Sequence, residues 1–84
     1  MEIPARYEER NALMFPDMIF VESSNIESIG YLADAMELHV QFKNGTLYAY
    51  LSVPQEIFDE FLLASSKGTF LNQRIKGVFG FEKR

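Results

Sequence analysis

Tyr48 and Tyr50 are the residues of this chain best suited to ligand chemistry. In an extended strand, side chains two positions apart share one face and lie about 7 Å from each other. Paired rings on an open sheet face can stack the bases of single-stranded nucleic acid. The alternative is structural: the rings would pack under a second layer formed by residues 1–20, and each hydroxyl would find a partner there. The spacing leaves both interpretations open.

Catalytic and metal-binding residues are sparse. The chain has one histidine, His39, and no cysteine, so a Ser–His pair would lack an assignable third member. We expect His39 to be a cross-strand pairing partner. The acids Glu56, Asp59 and Glu60 are typical of a solvated helix surface, and no His/Asp/Glu set has ligand spacing. The sequence therefore predicts a protein that is not an enzyme and has no metal or cofactor.

A β-hairpin is predicted to position the tyrosines. Asn44-Gly45 separates two alternating runs and favours a two-residue type I′ turn. Such a turn pairs Lys43 with Thr46 and fixes the strand register. One face is then apolar, with the pairs Phe42–Leu47, Val40–Ala49 and Leu38–Leu51.

The other face of this hairpin is predicted to be polar. It places Gln41 opposite Tyr48 and His39 opposite Tyr50, so both tyrosines stand away from the core.

The rest of the chain supplies a third strand and two helices. Residues 26–31 alternate as a strand, and residues 18–21 form either a strand or an anchoring segment. Ser52, three residues before Gln55 and followed by Pro54, predicts a capped helix start. The apolar stripe of that helix consists of Ile57, Phe58, Phe61, Leu62 and Ser65.

Gly68 is predicted to end the first helix as a left-handed cap. A second helix over 70–75, capped by Thr69, ends at Gly77, and the aromatic segment at 78–81 docks on the core. We therefore predict an α+β fold: a three-stranded antiparallel β-meander packed against a C-terminal α-helix, followed by a short second helix.

Length and composition indicate one small folded domain. The chain has 84 residues, of which 48% are hydrophobic. No apolar run approaches the roughly 20 residues of a membrane span, and no basic segment followed by an apolar one indicates a signal peptide. We expect a cytoplasmic protein with no membrane partner.

Charge is unevenly distributed along the chain. Residues 1–62 hold 3 lysines or arginines and 11 acids, a net of −8, whereas residues 63–84 hold 5 and 1, a net of +4. Phosphate contacts dominate nucleic-acid affinity, so only the basic end suits a polyanion. A solvated, solubilising helix face and tail is the alternative explanation of that charge.

The order of many weakly diagnostic residues resembles the KTSC domain family, named after the C-terminus of some lysyl-tRNA synthetases. The matching residues form four blocks: Val21-x-Ser23-Ser24-Asn25-Ile26; Ile29-Gly30-Tyr31; Leu38-x-Val40-x-Phe42-x-x-Gly45-x-x-Tyr48-x-Tyr50-x-x-Val53-Pro54; and Phe58, Phe61, Ala64-Ser65-x-Lys67-Gly68-x-Phe70-Leu71-Asn72, Ile75. The resemblance implies a KTSC-like domain over 21–82 and an N-terminal extension over 1–20. This chain has Leu32 where the family usually has Asp.

The resemblance implies a short bacterial or phage-type protein with RNA as partner. In that hypothesis Tyr48 and Tyr50 stack bases. The edge contacts would be His39, Gln41 and Lys43, and the phosphate contacts Lys67, Arg74 and Lys76. The alternative hypothesis is a protein-interaction or homo-oligomerisation module, because a small sheet with exposed aromatics and a free edge pairs readily with another chain.

Overall fold

The computed structural model describes residues 16–84, which form one antiparallel sheet covered on one face by helices. The strands follow chain order across the sheet. They are β1 (Ile19–Phe20), β2 (Ile26–Leu32), β3 (Glu37–Phe42), β4 (Leu47–Tyr50) and β5 (Phe81–Lys83). The helices are α1 (Gln55–Leu63) and α2 (Lys67–Phe70), which runs directly into a π-helical segment, Leu71–Ile75.

The α+β class is confirmed, but the predicted three-stranded meander is one part of a five-stranded sheet. Strands β2, β3 and β4 are the predicted meander. Strand β1 resolves the ambiguity of 18–21 in favour of a strand, and β5 pairs with β4 through Phe81 opposite Tyr50. The predicted docking of the aromatic end is therefore partly right: Phe79 packs on the core, but Phe81 keeps 55% of its surface exposed.

The turn between β3 and β4 differs from the predicted two-residue turn. Phe42 N donates to Thr46 O at 2.8 Å, and Gly45 N donates to Phe42 O at 2.9 Å. The loop therefore has three residues, 43–45, and Gly45 alone among them has a left-handed φ, +95°. This is the type I turn followed by a left-handed glycine that also suits Asn-Gly.

The extra loop residue shifts the pairing of β4 with β3 by one residue. This shift exchanges the two faces of β4 relative to those of β3. Tyr48 lies opposite Val40 and Tyr50 opposite Leu38, so both tyrosines share the helix-covered face. His39 instead faces Ala49, and Gln41 faces Leu47. The predicted placement of the tyrosines on the polar face with His39 and Gln41 is therefore wrong.

A bulge in β2 explains a second deviation from simple alternation. Ile26 pairs with Phe42, but Ser28 pairs with Gln41, which leaves Glu27 as the extra residue. Ile26 and Ile29 consequently both reach the core, although strict alternation would place them on opposite faces.

The apolar stripe of α1 is confirmed from Ile57 to Leu62, but Ser65 is exposed beyond the helix, and the predicted caps are not observed. Phe58 and Phe61 are buried, but the residue before the helix is Pro54 and Ser52 has φ +58°, so Ser52 does not cap it. Gly68 lies inside α2 and is no cap. Ser66 begins α2, accepting from Thr69 N at 3.2 Å.

Aromatic contacts join the helices to the sheet. Tyr31 on β2 stacks on Phe58, with ring centroids 5.2 Å apart, and its hydroxyl donates to Val53 O at 2.5 Å. Phe61 stacks on Phe70, also at 5.2 Å. The helical layer therefore packs against the tyrosine face, and the space that remains beside it is lined by residues of β2, β3 and β4.

Residues 16–18 reach the opposite face near Gly30. A methyl group on Gly30 would lie 2.7 Å from Met18 Sδ and 2.8 Å from Asp17 O, so glycine permits this close approach. The remainder of the predicted extension 1–20 falls outside the described residues, and the domain boundary stays a prediction. Within 16–84, no helix is long and apolar enough to span a bilayer.

Candidate functional site

A row of four aromatic rings lies on the helix-covered face at the β4–β5 side of the sheet. Tyr48 is at its centre, with ring centroids 5.6 Å from Phe42, 6.2 Å from Tyr50 and 5.0 Å from Phe81. Tyr48 and Phe42 are half-buried, so part of each ring faces solvent. The row therefore offers an accessible aromatic surface continuous with the core.

Three of these rings, those of Phe42, Tyr48 and Tyr50, form one wall of a cavity of about 120 Å³. The cavity lies between the sheet and the continuous helical stretch 67–75, which we call the second helical segment. We call the cavity the aromatic chamber. Its lining consists of Asn25, Ile26, Phe42, Tyr48, Tyr50, Gly68, Leu71, Asn72 and Lys76. Two amides and one ammonium group thus converge on an apolar floor, which is the composition of a ligand site.

The chamber adjoins an open polar groove of about 360 Å³. Asn25, Gly68 and Asn72 line both spaces. The groove carries hydroxyl groups from 23–24, 65–66 and 69, together with Lys67 and the acid Glu22. A ligand would therefore place an apolar part in the chamber and a polar part along the groove.

The lysines beside the chamber differ from the other cations of residues 16–84. Arg74 pairs with Glu60 at 2.9 Å, and Arg84 pairs with Glu82 at 2.8 Å. Lys67 donates to Ala64 O at 2.6 Å. In this part of the chain, no carboxylate pairs with the remaining cations, which are Lys43, Lys76 and Lys83.

One of these lysines lines the aromatic chamber, and the other two pair through the backbone with residues that line it. Lys76 lines the chamber. Lys83 lies directly opposite Tyr48 in the β4–β5 ladder, so their side chains leave the same face. Lys43 N donates to Asn25 O at 2.8 Å, which places it next to a lining residue. Three lysines without a carboxylate partner therefore lie in or next to the chamber, and Glu22 lies in the adjoining groove.

The structure brings some of the predicted binding residues together at the chamber and places the others elsewhere. Tyr48, Tyr50 and Lys76 meet in the chamber, Lys67 lies in the adjoining groove and Lys43 at its edge. Tyr50, however, is only 2% exposed, and burial, followed by the nearby Tyr48, raises the pKa of its hydroxyl. Tyr50 is therefore a buried part of the chamber wall.

Arg74 lies apart from the chamber. Besides its pairing with Glu60, its guanidinium stacks over Phe70, 5.1 Å from the ring centroid. This cation is therefore already engaged by a carboxylate and by an aromatic ring.

His39 and Gln41 lie on the other face of the sheet, from which the register shift removes the two tyrosines. His39 is fully buried, and its Nε2 lies 3.1 Å from Glu37 Oε1. Glu37 Oε2 in turn accepts from Arg84 at 3.3 Å. Burial raises the pKa of the Glu37 carboxyl, but the hydrogen bonds to His39 and Arg84 outweigh it and lower the pKa overall. His39 is thus a structural partner, separated from the tyrosines by the sheet.

Sequence reasoning did not single out Asn25 and Asn72 as binding residues. Both stand in the blocks that carry the family resemblance, which was the available signal. Lys83 was also missed, because a three-residue strand at the end of the chain has too little alternation to be recognised. Within residues 16–84, no group of three or more His, Asp or Glu side chains could hold a metal ion.

Comparison with known proteins agrees with this fold. The KTSC domain family model matches residues 22–79. A protein of Tsukamurella paurometabola is 44% identical over 59 residues, which are 70% of this chain and 88% of that protein. A lysine–tRNA ligase of Nostoc punctiforme is 34% identical over 74 residues, 88% of this chain but only 13% of the ligase.

A solved structure gives the same result. The crystal structure of a KTSC domain protein from Yersinia pestis matches with a TM-score of 0.78 at 41% identity, and the match covers 83% of this chain and 99% of that one. The match by family model covers well over half of the sequence, and the structural match covers nearly the whole of the solved domain. The chain therefore belongs to the KTSC domain family.

Proposed function

We propose that this protein is a non-catalytic RNA-binding module whose interface is the aromatic chamber and the three lysines in or next to it. The observation that carries the proposal is the position of Lys43, Lys76 and Lys83. Within residues 16–84 they are the cations without a carboxylate or carbonyl partner. Lys76 lines the chamber, Lys83 lies opposite Tyr48 in the ladder, and Lys43 follows Phe42 in the chain. Cations for phosphates beside rings for bases are what single-stranded nucleic acid requires.

Acidic residues lie both in the groove beside the chamber, which contains Glu22, and in a region on the other side of the sheet. Glu56 and Asp59 lie near Tyr31, whose pKa is raised first by burial and then by these two acids. Tyr31 is on β2, at the other side of the sheet from β5. Screening over about 8–10 Å at ordinary salt limits the effect of these acids on the chamber.

The relatives add a second, weaker line of support. Lysine–tRNA ligases of Nostoc and Trichormus carry a segment similar to most of this chain. By their name these enzymes act on a tRNA, and an RNA-binding segment would serve them. The same segment on its own would keep the binding and lack the ligase chemistry.

Salt dependence of binding tests the proposal. Three phosphate contacts predict that log K falls with log salt with a slope of about −2, since each contact to a single strand contributes roughly −0.7. Lys43→Gln, Lys76→Gln and Lys83→Gln should each reduce the slope by about 0.7, measured by anisotropy of a fluorescent single-stranded RNA.

Arg74→Gln is the matched control, because Arg74 is engaged by Glu60 and Phe70 away from the chamber. Its slope should equal that of the wild type. Failure to bind RNA at low salt, or a slope that none of the three lysine variants changes, would contradict the proposal.

Self-association is the second candidate, and strand β1 is the observation that favours it. This short edge strand exposes 45% of Ile19 and 76% of Phe20. Edge strands with exposed apolar residues pair readily with another chain. Sedimentation of the wild type and of Phe20→Ser distinguishes the candidates: a dimer lost in this variant and insensitive to salt would favour self-association.

A further inference from the structure

We infer that the aromatic chamber receives one unpaired RNA base, stacked against Tyr48 and contacted at its edge by Asn72. This inference rests on the proposed RNA binding and deepens it. It assigns a base-binding role to Tyr48, Asn72 and Gly68, and it predicts that the ligand is single-stranded.

The size and shape of the space select one base. The chamber has a volume of about 120 Å³, well below the roughly 300 Å³ at which pockets enclose a whole drug-sized molecule. Its polar extension, the groove, begins at Asn25, Gly68 and Asn72. A base in the chamber would therefore direct its sugar and phosphate into the groove or toward Lys76. A base within a duplex is stacked and paired, so it has no free face to offer.

Asn72 has the chemistry to contact a base edge. Its side chain is exposed at the chamber, and no hydrogen bond within the described residues engages it. Its amide offers one acceptor oxygen and two N–H donors, a pattern that matches adjacent acceptor and donor groups on a base. The Asn25 oxygen, by contrast, already accepts from Ser24 Oγ at 2.9 Å.

Gly68 keeps the entrance open. It lines both the chamber and the groove, and a Cβ built on it meets nothing within 4 Å. Its φ is outside the left-handed region, so the backbone there accepts any residue. The absence of a side chain therefore leaves space that the turn and helix do not require. Because Gly68 lines both spaces, we expect a larger side chain at this position to occupy part of the space that they share.

Gly68→Leu tests the inference directly, with Gln73→Leu as its control on the same helical segment but outside the chamber lining. The probes are a fluorescent single-stranded RNA and the same strand annealed to its complement. We expect the single strand to bind wild type at least about ten-fold more tightly than the duplex. Gly68→Leu should lose about ten-fold or more of that affinity, and Gln73→Leu should retain it. Thermal melts establish that both variants are folded.

Asn72→Ala provides an independent variant that adds no bulk. It should weaken single-strand binding several-fold while leaving the salt slope unchanged, whereas Lys76→Gln should lower the slope. Equal binding of single strand and duplex, or full affinity in both Gly68→Leu and Asn72→Ala, would overturn the single-base inference while RNA binding itself stands. No binding of either probe to wild type would overturn the proposed function and this inference together.

Discussion

The backbone of Gly45 determines which face of the sheet carries the tyrosines. Its φ of +95° ends a three-residue loop, and the resulting register places Tyr48 and Tyr50 beside the helices. Residues with a Cβ are strained at this φ, and β-branched residues most of all. No atom lies within 4 Å of a Cβ built on Gly45, so strain and not a clash is the expected effect of substitution.

Gly45→Val should therefore lower the free energy of unfolding by roughly 1–3 kcal/mol. Gly80→Val is the control, because Gly80 also faces open space but lacks a left-handed φ. Chemical denaturation of both variants measures the difference. Equal stabilities would mean that Gly45 does not adopt this conformation.

The two tyrosines should respond differently to truncation. Tyr50 is buried and packs in the core, so Tyr50→Ala should cost about 3–5 kcal/mol of stability. Tyr48 is half-buried, so Tyr48→Ala should cost less stability and act mainly on RNA affinity, by roughly 1–3 kcal/mol. Thermal melts paired with binding titrations separate these effects. Unchanged stability of Tyr50→Ala would contradict the burial of Tyr50. The sequence alone predicted that both tyrosines stand on an open face, and the structure changes that prediction for Tyr50.

At the scale of elements, α1 secures the helical layer that forms the chamber's far side. Phe58 contacts Tyr31 and Phe61 contacts Phe70, one on the sheet and the other on α2. Phe58→Ala and Phe61→Ala should each cost on the order of 3–5 kcal/mol. Leu63→Ala, in the same helix but 86% exposed, should be nearly neutral. Denaturant midpoints check the three variants, and near-neutral Phe substitutions would mean that α1 packs through another face.

Strand β5 pairs with β4, and an ion pair between Arg84, which follows β5, and Glu37 links this end of the chain to β3. Arg84 contacts Glu37, whose carboxyl pKa is lowered overall because the hydrogen bonds to His39 and Arg84 outweigh the effect of burial. A lowered folded-state pKa contributes stability that is present above the unfolded-state value, about 4.3, and is lost as pH falls through the folded-state pKa. Glu37→Gln and Arg84→Gln should each flatten the fall of melting temperature in that acidic range. Wild-type curves in both variants would contradict the network.

Elements with strong local periodicity could be predicted from the sequence. The stripe through Phe58 and Phe61 and the alternation of β2 to β4 each require only their own residues. Loop length could not be predicted, because Asn-Gly suits both a two-residue turn and a three-residue loop. Strand β5 depends on pairing with β4, with partners 31 to 35 residues apart in the chain, and its three residues carry no signal of their own.

At the scale of the whole molecule, the candidate site was therefore predicted only in part. Tyr48 and Lys76 were predicted as binding residues, and both line the chamber. His39 and Gln41 were predicted to share a face with the tyrosines, because the predicted register of β4 was wrong by one residue. Lys83 and Asn72 approach Tyr48 only through tertiary pairing and the position of the second helical segment. The lysines without a carboxylate partner come close to the aromatic row only in the folded chain. The sequence shows only that positive charge is concentrated near the C-terminal end.

Amide NMR spectra of isotope-labelled protein, titrated with single-stranded RNA, locate the binding surface residue by residue. We expect the largest shift changes around the chamber, at Phe42, Tyr48, Gly68, Asn72 and Lys76, and we expect them to shrink as salt rises. Residues of the opposite face, such as His39 and Gln41, should change little. Changes centred on that face or on strand β1, or a spectrum that RNA leaves unaltered at low salt, would contradict the assignment of the chamber as an RNA-binding site.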